Sequence, residues 1–449
     1  MTDTSDPRDA FLRAAFWHGG LADAEAIRAE HPDITGSSIH VAATLGDDAA
    51  VRRFIGEDAA NATATGGPRD AEPLVYLCFS RYLAYDASRS DAFLRTATAL
   101  LDAGADPNAG FFDSEHTPHP EWESAIYGAA GVAFHAGLTA LLLDRGADPN
   151  DAETPYHAPE TYDNGALTVL LGSGKLDEQS LNTMLVRKAD WHDLEGMRLC
   201  LDHGADPNFM GRWGRTALHH AVLSDNRLEI VELLLDRGAD PTLVATNLGH
   251  GGPPRPGHSA IALAARRGRA DILDLMARRG VPILLEGVDR LIAACARGEG
   301  LEAQTLAAAE PESLKQLLAE GGAVLVEFAG NDNAVGAALL LELGIPVDAP
   351  HAIGESYFGT TAATTALHAA AWRAAHDTMD MLIARGADVN ARDGNGNTPL
   401  MLAVRACVDS YWSNRRSPRS VKALLGAGAS KSGVSAPTGY AAIDELLRD

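Results

Sequence analysis

Sixteen histidines, four cysteines and a surplus of carboxylates are the raw material for chemistry in this chain of 449 residues. An imidazole can move protons, and beside thiolates or carboxylates it can hold a metal. The spacing argues for neither. His116 and His119 stand three apart, and His250, His258 and His351 fall in comparable loops, but no carboxylates or cysteines cluster beside them. Cys78, Cys200, Cys295 and Cys407 are scattered without metal spacing. Gly172-Ser173-Gly174-Lys175 imitates the end of a phosphate-binding loop. Val169 stands where its first glycine belongs, and Leu176 replaces the hydroxyl residue that would meet magnesium. Asp393-x-Asn395-x-Asn397 imitates the start of a calcium loop. Thr398 occupies the place of the turn glycine and Val404 that of the bidentate glutamate. G-x-S-x-G, H-E-x-x-H and C-x-x-C are absent. The expectation is a protein without catalysis, metal or cofactor.

What the sequence repeats instead is a pair of helix signals. From Arg215 to Thr242, Thr216 sits at an N-cap position ahead of Ala217, Leu218, Ala221 and Val222, which share one helical face. Asp225 and Asn226 interrupt. A second stripe follows with Leu228, Val231, Leu234 and Leu235, and Gly238 and Pro241 end it. Such a unit is too small to bury its own apolar stripes and needs a copy on each side. Gly-Ala-Asp recurs at Gly104, Gly146, Gly204, Gly238 and Gly386, with weaker versions at Gly280, Gly344 and Gly428.

Thr216-Ala217-Leu218-His219-His220-Ala221 closely matches T-P-L-H-x-A, the start signature of the ankyrin repeats. Thr365-Ala366-Leu367-His368-Ala369-Ala370 and Ser37-Ser38-Ile39-His40-Val41-Ala42 match as well, and Thr398-Pro399-Leu400 keeps its first half. Ser124, Asn164 and Ser259 open looser versions. The chain therefore resembles the ankyrin family, bacterial ankyrin repeat proteins included, over roughly residues 35 to 430. The resemblance implies an all-α solenoid of about ten or eleven helix-turn-helix units with elongated finger loops. Capping helices are expected over 1–34 and 431–449, and degenerate zones near 165–205 and 288–344. Gly165 to Leu176 reads as a first helix with little behind it. The second zone is expected to alter the curvature of the stack. For His40, His219 and His368 the resemblance implies a structural hydrogen bond near the helix start.

The distance from the residue after each Gly-Ala-Asp turn to the next start is 8 from Asn208 to Thr216 and from Asn390 to Thr398. It grows to 16 from Asn108 to Ser124, 14 from Asn150 to Asn164, and 17 from Thr242 to Ser259 and from Asp348 to Thr365. In the family this segment forms the fingers beside the concave surface, and insertions on one face often mark the binding face. Aromatic and arginine side chains gather there, the usual anchors of protein interfaces. The candidate partner-binding residues are Phe111, Phe112, Trp122, Tyr156, Tyr162, Phe209, Arg212, Trp213, Arg255, Tyr357 and Phe358. The competing explanation is that these rings pack on one another to hold long loops down. The functional expectation is a non-catalytic scaffold that binds a protein on its concave face and fingers, as an inhibitor or regulator. The alternative is an enzyme or small-molecule binder using a pocket between fingers.

Composition sets outer bounds. A net charge of −24 argues against phosphate backbones as partners. No run of 18 apolar residues exists, so no membrane span is expected. The N-terminus is acidic and lacks an apolar core segment, unlike a secretory signal. With unpaired cysteines, this points to the cytoplasm. Arginine outnumbers lysine 32 to 5, as in GC-rich genomes. A monomer is expected.

Overall fold

The computed structural model describes residues 6–114, 116, 120–247, 257–354, 361–408 and 416–448. The protein is an all-α repeat solenoid, and it divides into two compact units, Met1–Gly211 and Arg212–Asp449. Among the described residues no helix is long and apolar enough to cross a membrane.

In the first unit, one row of helices is Ile39–Leu45, Pro73–Cys78, Ala125–Tyr127, Thr154–His157 and Glu178–Asp190. The second row is Asp48–Glu57, Ser90–Asp102, Ala136–Asp144, Gly165–Gly172 and Leu194–Asp202. Each helix packs on its neighbours within its own row. Here the structure corrects the sequence reading. Gly165–Gly172 lies between Ala136–Asp144 and Leu194–Asp202, so it is a second helix. Its first helix is the single turn Thr154–His157. Ahead of these repeats, Pro7–Ala15 packs on Ile39–Leu45. Phe16 and Trp17 then run on to the rings of Tyr76, Phe79 and Tyr127.

The second unit begins with Ala217–Leu223 and Leu228–Asp236, as read from sequence. Its further first helices are Ala260–Arg266, Gly287–Ala296, Pro311–Gly330, Ala366–Trp372 and Pro399–Val408. In the degenerate zone the rows lose their regularity. Pro311–Gly330 is a single helix of 20 residues. Ala334–Glu342, the second helix that follows it, packs on the first helix Gly287–Ala296. At the far end, Ala441–Arg448 packs on Arg419–Gly426, the second helix of the last pair.

Starts and stops follow local chemistry. Thr216 and His219 form a reciprocal capping box, and Thr365 and His368 form another. Burial pushes the His219 imidazole down to about 4. The neutral ring accepts from Thr216 N–H through Nδ1 at 3.2 Å and gives its Nε2 proton to the His258 carbonyl at 3.1 Å. His368 likewise reaches the carbonyls of Ala391 and Asn397, and His40 that of Ala64. The histidines thus tie each helix start to its finger. The stop glycines Gly104, Gly146, Gly204, Gly238, Gly280, Gly344, Gly386 and Gly428 have φ between 76° and 108°. At Gly238 a Cβ would meet nothing within 4 Å, so the left-handed backbone, not space, selects glycine.

The interhelix turns of the second unit converge. Asp225, in the first turn, accepts from Arg269 of the next repeat at 2.9 Å and is bonded to Arg373, 148 residues on. All three side chains are nearly buried. Phe328 fills the space above Gly268, where a Cβ would lie 2.8 Å from its ring. Asn333 donates to the carbonyls of both Gly268 and Ala296 at 2.7 Å. Removing one member of a buried ion pair costs about 3–5 kcal/mol, because the other charge is left uncompensated. Arg269 still compensates Asp225 when Arg373 is removed, so Arg373→Ala is expected to cost the second unit less than that, about 1.5–3 kcal/mol for the lost charged hydrogen bond. Hydrogen exchange should accelerate at both 217–236 and 366–384, and acceleration confined to 366–384 would show the bridge to be energetically idle.

Candidate functional site

The finger between Asn108 and Ser124 is an antiparallel hairpin of β1 (Gly110–Asp113) and β2 (Glu121–Ser124). Side chains alternate across its two faces. Phe111, Asp113 and Glu123 turn inward and are buried. Phe112 and Trp122 are direct cross-strand partners, and they remain 61% and 48% exposed. Gly110 lets the indole lie on the strand, since a Cβ there would come within 2.8 Å of the ring.

The inward face clamps the hairpin. Phe111 is 2% exposed, in edge-on contact with Phe16 at 5.4 Å and Phe79 at 5.3 Å, with the Arg69 guanidinium over its ring at 5.1 Å. For Phe111 the packing explanation holds, and its ring is unavailable to a partner. Glu123 is fully buried, with neither carboxylate oxygen hydrogen bonded. Burial first, and then the charges of Glu153 and Asp113, push its carboxyl up to about 7, against the opposing pull of His116 and His157.

Beside it, on the first-helix row, lies a network of charges. His157 sits 3.0 Å from Glu153 and 2.9 Å from Glu160. Burial pulls its imidazole down, but the two carboxylates outweigh that and raise it to about 9. Arg187 bonds Glu160, reaches Asp190 at 2.7 Å and stacks over Tyr156 at 4.1 Å. Ser124 is engaged as an N-cap, accepting from Tyr127 N–H at 3.1 Å, and bonds Asp151. The arrangement fixes the short helix Thr154–His157 in its row.

The remaining candidates scatter. Tyr156 belongs to a first helix and not to a finger. Tyr162 is 66% exposed, between Thr154–His157 and Gly165–Gly172, with its ring 6.1 Å from that of Trp191. That places it at the interhelix turn. Phe209 is half-buried at the root of the short finger in the first unit. In the second unit the exposed Arg212 lies over the half-buried Trp213, which also meets His220 at 5.9 Å. Arg255, Tyr357 and Phe358 lie outside the described residues, as do His119 and His250. Among the described residues, no group of three or more histidines, cysteines or carboxylates could hold a metal. The start missed in sequence is Thr154-Pro155-Tyr156-His157, which follows T-P-L-H with tyrosine in place of leucine.

The buried carboxyl has a consequence for stability. Between its ordinary value of 4.5 and about 7, Glu123 keeps a proton in the folded protein that the unfolded chain releases. Its contribution is therefore present below the lower value and lost as pH rises through the upper one. His157 acts with the same sign at higher pH, between 6.5 and about 9. The melting temperature of the first unit should fall as pH is raised from about 5 to 7, and Glu123→Gln should flatten that fall. An equal slope in the variant would mean that Glu123 is ionised throughout.

Two family matches fall on this architecture. Residues 125–245 match "Ankyrin repeats (3 copies)" and residues 367–410 match "Ankyrin repeats (many copies)". The chain is also similar to a protein of Dirofilaria immitis named L-asparaginase, 29% identical over 183 residues. That alignment takes in 37% of this chain and spans 28% of the length of the relative. With the repeat matched in both units, and with its starts and stops built as the family builds them, the chain belongs to the ankyrin repeat domain-containing proteins.

Proposed function

We propose that the protein is a non-catalytic binding module and that the first unit's hairpin is its principal anchor for a protein partner. The observation that carries this reading is the exposed cross-strand pair Phe112 and Trp122, held on a finger whose other face is locked into the core. Two large rings side by side on a rigid support lose little freedom on binding, and such anchors dominate interface energetics. Ankyrin repeats generally act as protein-interaction modules, which supports a protein as the partner. On this reading the protein acts as an inhibitor or regulator of its partner, as a monomer in the cytoplasm.

Capture of a partner from native lysate, followed by calorimetry, tests the reading. Phe112→Ala and Trp122→Ala should each lose about 2 kcal/mol or more, near thirtyfold in affinity, with the melting temperature almost unchanged. Phe111→Ala should instead destabilise the fold by about 3–5 kcal/mol. Parent-like binding by both surface variants would move the anchor elsewhere. The similarity to a protein named L-asparaginase defines the rival reading, that this chain hydrolyses asparagine. Incubation of the purified protein with L-asparagine should release no ammonia above the buffer rate, and sustained release would replace the binding reading with a catalytic one.

A further inference from the structure

Two departures from regular repeat geometry in the first unit meet at one cleft. The first is a broken helix. Pro73–Cys78 stops, and Arg81–Tyr85 restarts at once. Ser80 makes the break, because its hydroxyl caps the new helix by accepting from Tyr82 N–H and donates to the Thr44 carbonyl at 2.6 Å. The second is in the next repeat, where Ala125–Tyr127 widens into the π-helical turn Gly128–Val132. The chain leaves that turn through Phe134 at φ 50°, a left-handed conformation costly for a bulky side chain. Strained backbone and π-turns gather at functional sites, and neither is needed to stack a helix pair.

Between them lies a cleft of about 370 Å³, within the range of small-molecule sites. Val132 and Phe134 line it. So do Trp17 and His18, whose rings stack at 4.0 Å, and the pair Arg81 and Tyr85. The Arg81 guanidinium lies 4.5 Å from the centre of the Tyr85 ring and donates to the Trp17 carbonyl at 3.0 Å. Most arginines of this acidic chain face a carboxylate, but Arg81 has none among the described residues, and its Nε is buried without a partner. Tyr85 is 65% exposed, so the mouth is open. An uncompensated guanidinium beside flat rings matches a carboxylate carried on a flat apolar body.

We propose that this cleft is a binding site for small aromatic carboxylates, separate from the hairpin anchor and independent of the function assigned to it. The planar body would lie against the Trp17–His18 stack and Tyr85, and the carboxylate would meet the free edge of Arg81.

Ligand-observed NMR with naphthoate on the full-length protein tests this, with uncharged naphthalenemethanol and cationic naphthylmethylamine as controls. Saturable binding of naphthoate is expected, at least about tenfold tighter than either control. Arg81→Gln should abolish that preference for the anion. Arg81→Lys should keep part of it, since the charge remains and the planar fork is lost. Tyr85→Leu, at an exposed position that the fold does not depend on, should weaken naphthoate without altering the melting temperature. Should Arg81→Gln prove unfolded by circular dichroism, the lysine and leucine variants carry the test. Equal binding of the three probes, naphthoate binding indifferent to every variant, or no saturation up to about 10 mM would each overturn the proposal.

Discussion

A helix pair of this size cannot bury its own apolar stripe, and everything else in the protein follows from that constraint. Leu218 and Leu234 are fully buried only because neighbouring pairs cover them. Each pair must start and stop at fixed places for its stripe to meet the next. The capping boxes at Thr216 and Thr365 and the left-handed glycines after each second helix set those places. Neutral, buried His219 and His368 extend the same control to the fingers, since one ring bonds both the helix start and a finger carbonyl.

The first unit uses a two-stranded hairpin for two purposes. Strand alternation gives one face to the core and one to solvent. Phe111 and Glu123 hold the inner face down, while Phe112 and Trp122 stand outward as opposed partners. The buried carboxyl of Glu123 is costly unless protonated, so the clamp under the finger is favoured by acid. The charged network around His157 lies next to it and holds the short helix Thr154–His157.

Features governed by local chemistry were legible in the sequence. A cap needs a short polar side chain and a left-handed stop needs glycine, so Thr216 and Gly238 declared themselves by type and position. The row to which a helix belongs was not legible at Gly165–Gly172. First and second helices carry the same apolar periodicity, and the true first helix is a single turn whose Tyr156 obscures its signature. Phe111 and Phe112 were legible as finger residues but not by role, because they exchange fates with the strand register, and Tyr156, read into a finger, belongs to a first helix. The cleft at Arg81 left no motif at all. It arises from a helix break and a π-turn in two different repeats.

The bridge from Arg373 to Asp225 bears on how this protein can change over evolutionary time. Stacks with contacts only between neighbours lengthen or shorten by whole repeats at little cost, which is how such arrays diversify. In the second unit that freedom is lost. Arg373 reaches Asp225 only because a set number of helix pairs, with a set curvature, separates them. Duplicating or deleting one pair between them would carry the arginine away from Asp225 and break the bridge, leaving only the bond from Arg269. The second unit therefore has a counted length, and its divergence is channelled into substitutions within existing repeats and into its loops.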